Sequence, residues 1–174
     1  MAPIVIMLSG SSSAGKTSLA KALQRRMAVP AILVEADRVF PDVPGQHPNW
    51  PPNGADHQSL VLTFHRSIAV WASAGLNLIV DGSLPYEDRS LRDACLKVFE
   101  PFDLRLVGVR CGVDALSERE AGRPEERPAG WAVRQAADID VGMKYAAEVD
   151  TTARTPEACA LELATQLGFG VVGS

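Results

Sequence analysis

Residues 9–18 read SGSSSAGKTS, a run of Ser and Gly around one lysine, Lys16. Ile4, Val5, Ile6, Met7 and Leu8 precede it, and Leu19, Leu23 and Met27 follow at helical spacing. A short apolar run rich in β-branched residues fits a strand buried on both faces. Apolar residues three or four apart fit one face of a helix. Between the two, residues 10–17 match G-x-x-x-x-G-K-[ST] in full. Gly10 and Gly15 supply backbone angles closed to residues with a Cβ, so the chain can wrap closely around a phosphate. Successive N–H groups then point inward, and the helix N-terminus adds partial positive charge. Lys16 is expected to reach the β- and γ-phosphates of ATP, and the Thr17 hydroxyl to bind Mg²⁺. The contact set is therefore Gly10, Ser11, Ser12, Ser13, Ala14, Gly15, Lys16, Thr17 and Ser18. A Ser/Gly-rich turn with an incidental lysine would lack the strand before and the helix after, and both are present here.

The chain has 174 residues, enough for one domain with a proper core and too few for two. A net charge of −4 gives no broad basic field for nucleic acid and no polybasic patch for a membrane. Cys95, Cys111 and Cys159 are far apart and show no metal-ligand spacing, as expected of reduced thiols. The apolar start is too short for a signal peptide and lacks a basic region, and no apolar run reaches membrane-spanning length. A soluble, cytoplasmic protein is expected.

Further strands are expected at 31–34, 76–82, 104–111 and, more weakly, 146–152. Helices are expected through Leu60, Phe64, Ile68 and Trp71 with a stop at Gly75, over 85–99, through Leu116 to Glu120, and over 131–139. The last helix opens with Thr155 as N-cap, Pro156 at the first position and Glu157 in the first turn, and closes at Gly168. Strands alternating with helices predict an α/β fold of three layers: a parallel sheet of about five strands with helices on both faces. The expected organisation is one domain over 1–174. It carries a Pro-rich acceptor loop at about 41–56 and an Arg-rich lid at about 119–134, since long irregular segments in a compact domain are usually functional.

In such folds the ligand sits beyond the carboxyl ends of the strands, where Asp37, Asp81 and Arg110 all fall. Asp37 is expected to face the loop and to accept the proton of an acceptor hydroxyl; a helix cap is its competing role. Asp81 is expected to hold Mg²⁺ or its waters, or else to be the turn residue of an Asp-Gly pair. Arg119, Arg123 and Arg127 recur every four residues and are interrupted by Pro124. At least one is expected to stabilise charge on the transferring phosphoryl; alternation with Glu118, Glu120, Glu125 and Glu126 also fits a solvated, salt-bridged face. His47 and His57 can line the acceptor loop, and Trp50 and Trp71 fit core or lid packing.

Taken together, GSSSAGKTS, Asp37, LIVDG at 78–82, VGVRC at 107–111, the ERE…AGWAVRQA block and EVDTT at 148–152 resemble the chloramphenicol phosphotransferase-like proteins. These are small P-loop kinases that phosphorylate a hydroxyl of an antibiotic. The resemblance runs over nearly the whole chain and is weakest between Pro41 and Asp56. It implies a nucleoside-monophosphate-kinase-like fold and an ATP:alcohol phosphotransferase, with the family base at Asp37 and the lid arginines at Arg119, Arg123 and Arg127. The chain departs from the family pattern at Asp140 and Tyr145-Ala146, where relatives have His and Tyr-Asp. It departs again at Asp81-Gly82, where they often have two acids. Competing expectations are a metabolite kinase of the shikimate, gluconate or nucleoside type, and a regulatory protein that binds ATP without transferring its phosphate.

Overall fold

Val5, Ile6, Met7 and Leu8 are at most 1 % exposed, because β1 (Ile4–Ser9) is the central strand of a five-stranded sheet. The computed structural model describes residues 2–40, 56–82, 84–122, 128 and 130–172. The other strands are β2 (Ala31–Glu35), β3 (Asn77–Asp81), β4 (Asp103–Arg110) and β5 (Ala147–Asp150), in the order β2-β3-β1-β4-β5. Every neighbouring pair is parallel. The helices are α1 (Lys16–Arg26), α2 (Ala36–Val39), α3 (His57–Ser73), α4 (Arg89–Lys97), α5 (Val113–Ala121), α6 (Trp131–Asp138) and α7 (Pro156–Gln166).

Alternation along β1 divides the core. Ile6 and Leu8 join Leu19 and Leu23 of α1 and Leu163 of α7. Val5 and Met7 join Phe64 and Ile68 of α3 and Phe99. The result is the three-layer arrangement that the β/α alternation predicts. Register sets the functional edge: Leu8 lies beside Asp81, Glu35 beside Asp81, Ser9 beside Gly108, and Arg110 beside Asp150. All five strands therefore end along one rim.

Three local readings change. The expected helix over 85–99 begins only at Arg89, where the Asp88 carboxylate accepts from Leu91 N–H at 3.0 Å and fixes the first turn. Residues between β3 and Asp88 are thereby left to line a cavity. On α3 the sheet-facing row is Phe64, Ile68 and Ala72, while Trp71 is 53 % exposed; the row advances by four, so the three-residue step to Trp71 leaves the core. Finally, β2 runs directly into the single turn of α2, an element too short to show periodicity. The expected cap at Thr155 is present, accepting from Ala158 N–H at 3.2 Å. The Pro-rich stretch up to residue 55, and with it His47 and Trp50, lies outside the described residues, as do Arg123 and Arg127.

Candidate active site

The loop between β1 and α1 is shaped by close packing and unusual backbone. A Cβ on Gly10 would stand 2.4 Å from Val109 O, so only glycine lets the loop pass β4. Gly15 has φ +85 and, as the N-cap of α1, brings no side chain to cap the helix start. Ser13 also takes positive φ, 62°, and its buried hydroxyl has no hydrogen-bond partner among the described residues. An orphaned hydroxyl and an uncapped helix start inside one loop fit an oxygen-rich anion. The Lys16 ammonium donates to Gly10 O and Ser11 O, each at 2.8 Å, which holds its charge over the loop. From behind, Thr151 at the end of β5 donates its Oγ1 hydrogen to Ala14 O at 2.7 Å.

A cavity of about 590 Å³ opens in front of the loop and brings together Lys16, Thr17, Asp37 and Asp81. Asp37 sits in the first turn of α2, exposed, and Glu35 is the N-cap of that helix with no side-chain cap bond. Asp37 therefore does not hold the capping position. Glu35 is occupied by ion pairs with Lys21 and Arg38, both at 3.3 Å. Thr17 Oγ1 donates to Asp81 Oδ2 at 2.5 Å. Burial pushes the Asp81 carboxyl above the usual carboxylate range, the Thr17 hydrogen bond and the Lys16 charge oppose this, and Asp37 and Glu35 add to it. Among the described residues no group of three or more His, Cys, Asp or Glu side chains gathers as a metal site. Thr17 and Asp81 nonetheless form a pair of hard oxygen donors suited to Mg²⁺, which takes few protein ligands and completes its shell with water and phosphate oxygens.

The cavity's far wall comes from residues sequence reasoning passed over. Leu84, Pro85, Tyr86, Glu87 and Asp88 line it from the segment ahead of α4, Trp131 and Gln135 from α6, and Ile139 from the cap just past its end. His57, which the sequence marks as an acceptor-loop candidate, lines it too. Spacing carried the α6 signal, since 131, 135 and 139 step by four along one helix face.

Arg119 occupies a different place from the one expected of a lid arginine. Its guanidinium donates to Thr151 O at 2.7 Å, to Thr152 O at 3.2 Å and to Cys111 Sγ at 3.3 Å. It lines a second cavity of about 240 Å³ with Ser13, Gly15, Ser18, Thr151 and Arg154, and does not line the first. Glu120, expected on a solvated face, instead caps α6, its carboxylate accepting from Gly130 N–H at 2.9 Å and Ala132 N–H at 2.8 Å. Asp140, a point of departure from the resembled family, forms an ion pair with Arg110 and accepts from the Tyr145 hydroxyl at 2.5 Å.

The family described as chloramphenicol phosphotransferase-like protein matches residues 3–168. A Mycobacterium tuberculosis protein provisionally named an O-phosphotransferase is 30% identical over 182 residues, covering 91% of this chain and 80% of its own length. Solved structures share the fold at lower identity. A gluconokinase from Sinorhizobium meliloti superposes with TM-score 0.67 at 20% identity, covering 96% of this chain and 93% of its own. An APS kinase of Mycobacterium tuberculosis in complex with AMPPNP and APS gives 0.65 at 16%, covering 95% and 98%. The tunicamycin resistance protein of Deinococcus radiodurans gives 0.66 at 16%, covering 100% of both chains. These neighbours establish a P-loop kinase fold.

Proposed function

The chain belongs to the chloramphenicol phosphotransferase-like family, and from that premise we propose that it moves the γ-phosphate of ATP to a hydroxyl of a small molecule of antibiotic type. The observation that carries the reading is one shared cavity holding the phosphate loop on one side and the exposed Asp37 carboxylate on the other. ATP is to lie along the loop, its phosphates on the N–H groups of 13–18, its base toward the second cavity beside Arg119, Thr151 and Arg154. The acceptor enters from the wall of Tyr86, Glu87, Trp131 and Ile139.

Asp37 takes the proton of the acceptor hydroxyl as its oxygen attacks the γ-phosphorus. The new O–P bond forms as the bond to the β–γ bridging oxygen breaks, and ADP leaves with that oxygen's electron pair. Lys16 neutralises charge between the β- and γ-phosphates. Thr17 and Asp81 would hold Mg²⁺, which supplies charge neutralisation on the phosphate oxygens when bound. Arg123 and Arg127 remain candidates for the transferring phosphoryl, and lie outside the described residues.

The acceptor wall favours an uncharged or cationic hydroxyl compound over an anionic metabolite. Asp37, Glu87 and Asp88 line it, and among the described residues Lys16 is the one Lys or Arg that lines the cavity. Arg134, whose charge acts on Tyr86, is not among the lining residues. Recognition of a carboxylate or sulfate normally calls on Arg or Lys, so a shikimate- or gluconate-type acceptor is the second reading. The test incubates the chain with ATP and Mg²⁺ against hydroxylated antibiotics, amino alcohols and sugar acids, and reads the mass gain of one phosphate. Tight ATP binding with no phosphorylated product from any class would favour a binding protein and sink the kinase reading.

A further inference from the structure

Gln135 is the one polar side chain on the α6 face that looks into the large cavity, between Trp131 and Ile139. Its Oε1 accepts from the backbone N–H of Ser12 at 2.6 Å. Because a backbone N–H only donates, the oxygen of the carboxamide must be the atom that faces it. The Nε2 group, with two N–H donors, is then fixed as the other end of the amide. Among the described residues it has no hydrogen-bond partner.

The side chain is held in place by its element. The start of α6 is tied by Glu120, which accepts from Gly130 and Ala132 N–H. Its far end is tied through Asp140 to Arg110 of β4 and to the Tyr145 hydroxyl. Between these anchors Ala132 is fully buried. A helix clamped at both ends presents Gln135 to the loop in a fixed orientation, which is what a group that acts on developing charge requires.

Position along the loop says which part of a nucleotide it meets. Ser13 and Gly15 line both cavities, whereas Ser12 and Gln135 line only the one that holds Asp37. Ser12 therefore marks the acceptor end of the loop, and a donor fixed on it lies toward the terminal phosphate rather than the α-phosphate or the base. We propose that Gln135 is a further catalytic residue: anchored through Oε1 on Ser12, it donates from Nε2 to the γ-phosphoryl. Such a neutral donor adds no charge to a cavity already rich in carboxylates and stabilises the equatorial oxygens during transfer. The assignment rests on the phosphate-loop reading of residues 10–17.

Binding alone tests it, without knowledge of the acceptor. Affinities for Mg²⁺·ADP and for the Mg²⁺ complex of a non-hydrolysable β,γ-imido analogue of ATP are measured by calorimetry on the full chain. Gln135→Leu removes both amide functions, while Gln135→Glu keeps an acceptor for Ser12 N–H and removes the donors. Both should lower the preference for the triphosphate over ADP, by about tenfold for one hydrogen bond to a charged group. A melting temperature near that of the unaltered chain shows that each variant is folded; if Gln135→Leu is not, Gln135→Glu carries the test. A Gln135→Glu chain that keeps the original preference would overturn the proposal, leaving Gln135 as a mere tie for the loop. If the unaltered chain binds neither nucleotide, the loop reading itself falls and the assignment with it.

Discussion

At Asp37 two roles can be separated by one substitution. The capping residue of α2 is Glu35, which makes no side-chain cap bond, so Asp37→Asn should leave the melting temperature unchanged. Its carboxylate shares the cavity with Lys16 and Thr17. As a general base it should contribute about 10²–10⁴-fold to kcat, toward the low end if the transition state is loose, and ATP affinity should barely move. An unchanged kcat in Asp37→Asn, measured with a phosphorylated acceptor in hand, would remove the base from this position. In the proposed reaction Lys16 acts on the phosphate donor rather than on the acceptor. Lys16→Ala should abolish phosphoryl transfer with circular dichroism intact, and near-normal ATP turnover in that variant would sink the loop assignment. Asp81 is a third case, since its buried carboxyl is held above the usual range and accepts a hydrogen bond from the Thr17 hydroxyl. Asp81→Asn should chiefly raise the Mg²⁺ concentration needed for half-maximal rate, and a rate that survives full chelation would refute the metal role.

Among the elements, α6 shows how a helix of eight residues becomes a cavity wall. It is too short to persist alone, and tertiary ties at Glu120 and Asp140 hold it. Glu120→Ala removes the carboxylate from its first turn and should destabilise the helix by about 1 kcal/mol. Amide exchange should then quicken over 130–139 while β1 stays protected; uniform exchange across the chain would contradict a local clamp. The phosphate loop, the five strands and the cap at Thr155 were legible in the sequence because each rests on local chemistry: a glycine pattern, an apolar run, a hydroxyl before a proline. The ties of α6 were not, because Glu120 read as part of a solvated, salt-bridged face and Asp140 only as a departure from the family pattern, until the fold brings Gly130 and Arg110 to them. Arg119 shows the same limit. Four-residue spacing placed it on a lid, whereas its hydrogen bonds to the end of β5 depend on a strand more than thirty residues away in sequence. Trp71 was misplaced for a different reason: on α3 a step of three residues instead of four is enough to move a side chain from core to solvent.

For the whole molecule, His65 links the core to pH. It is fully buried on α3, edge-on to the rings of Phe64 and Phe99. Its Nδ1 lies 2.8 Å from Val61 O and must carry the proton, since a carbonyl only accepts. Nε2 is then a lone pair with no partner among the described residues, so a second proton would put a charged N–H into apolar surroundings. Burial accordingly pushes the imidazole below its ordinary value of 6.5, with the Val61 bond opposing. Between that lowered value and 6.5 the unfolded chain binds a proton that the folded chain refuses, so stability is full above about 6.5 and is lost as pH falls through the window. One proton can supply a slope of at most about 1.4 kcal/mol per pH unit. Asp81 works in the opposite sense: its raised carboxyl takes up a proton in the fold before it does in the unfolded chain, which adds stability as pH falls toward 3.8. The raw acid limb therefore mixes two signs, and the comparison must be a difference. His65→Phe keeps a ring between Phe64 and Phe99 and removes both nitrogens. Urea midpoints of the two chains at pH 7.5, 6.5 and 5.5 should diverge as the pH drops, with the histidine chain losing more. Parallel midpoints across that range would mean that His65 finds a partner for its second proton, and that the core does not sense acid through it.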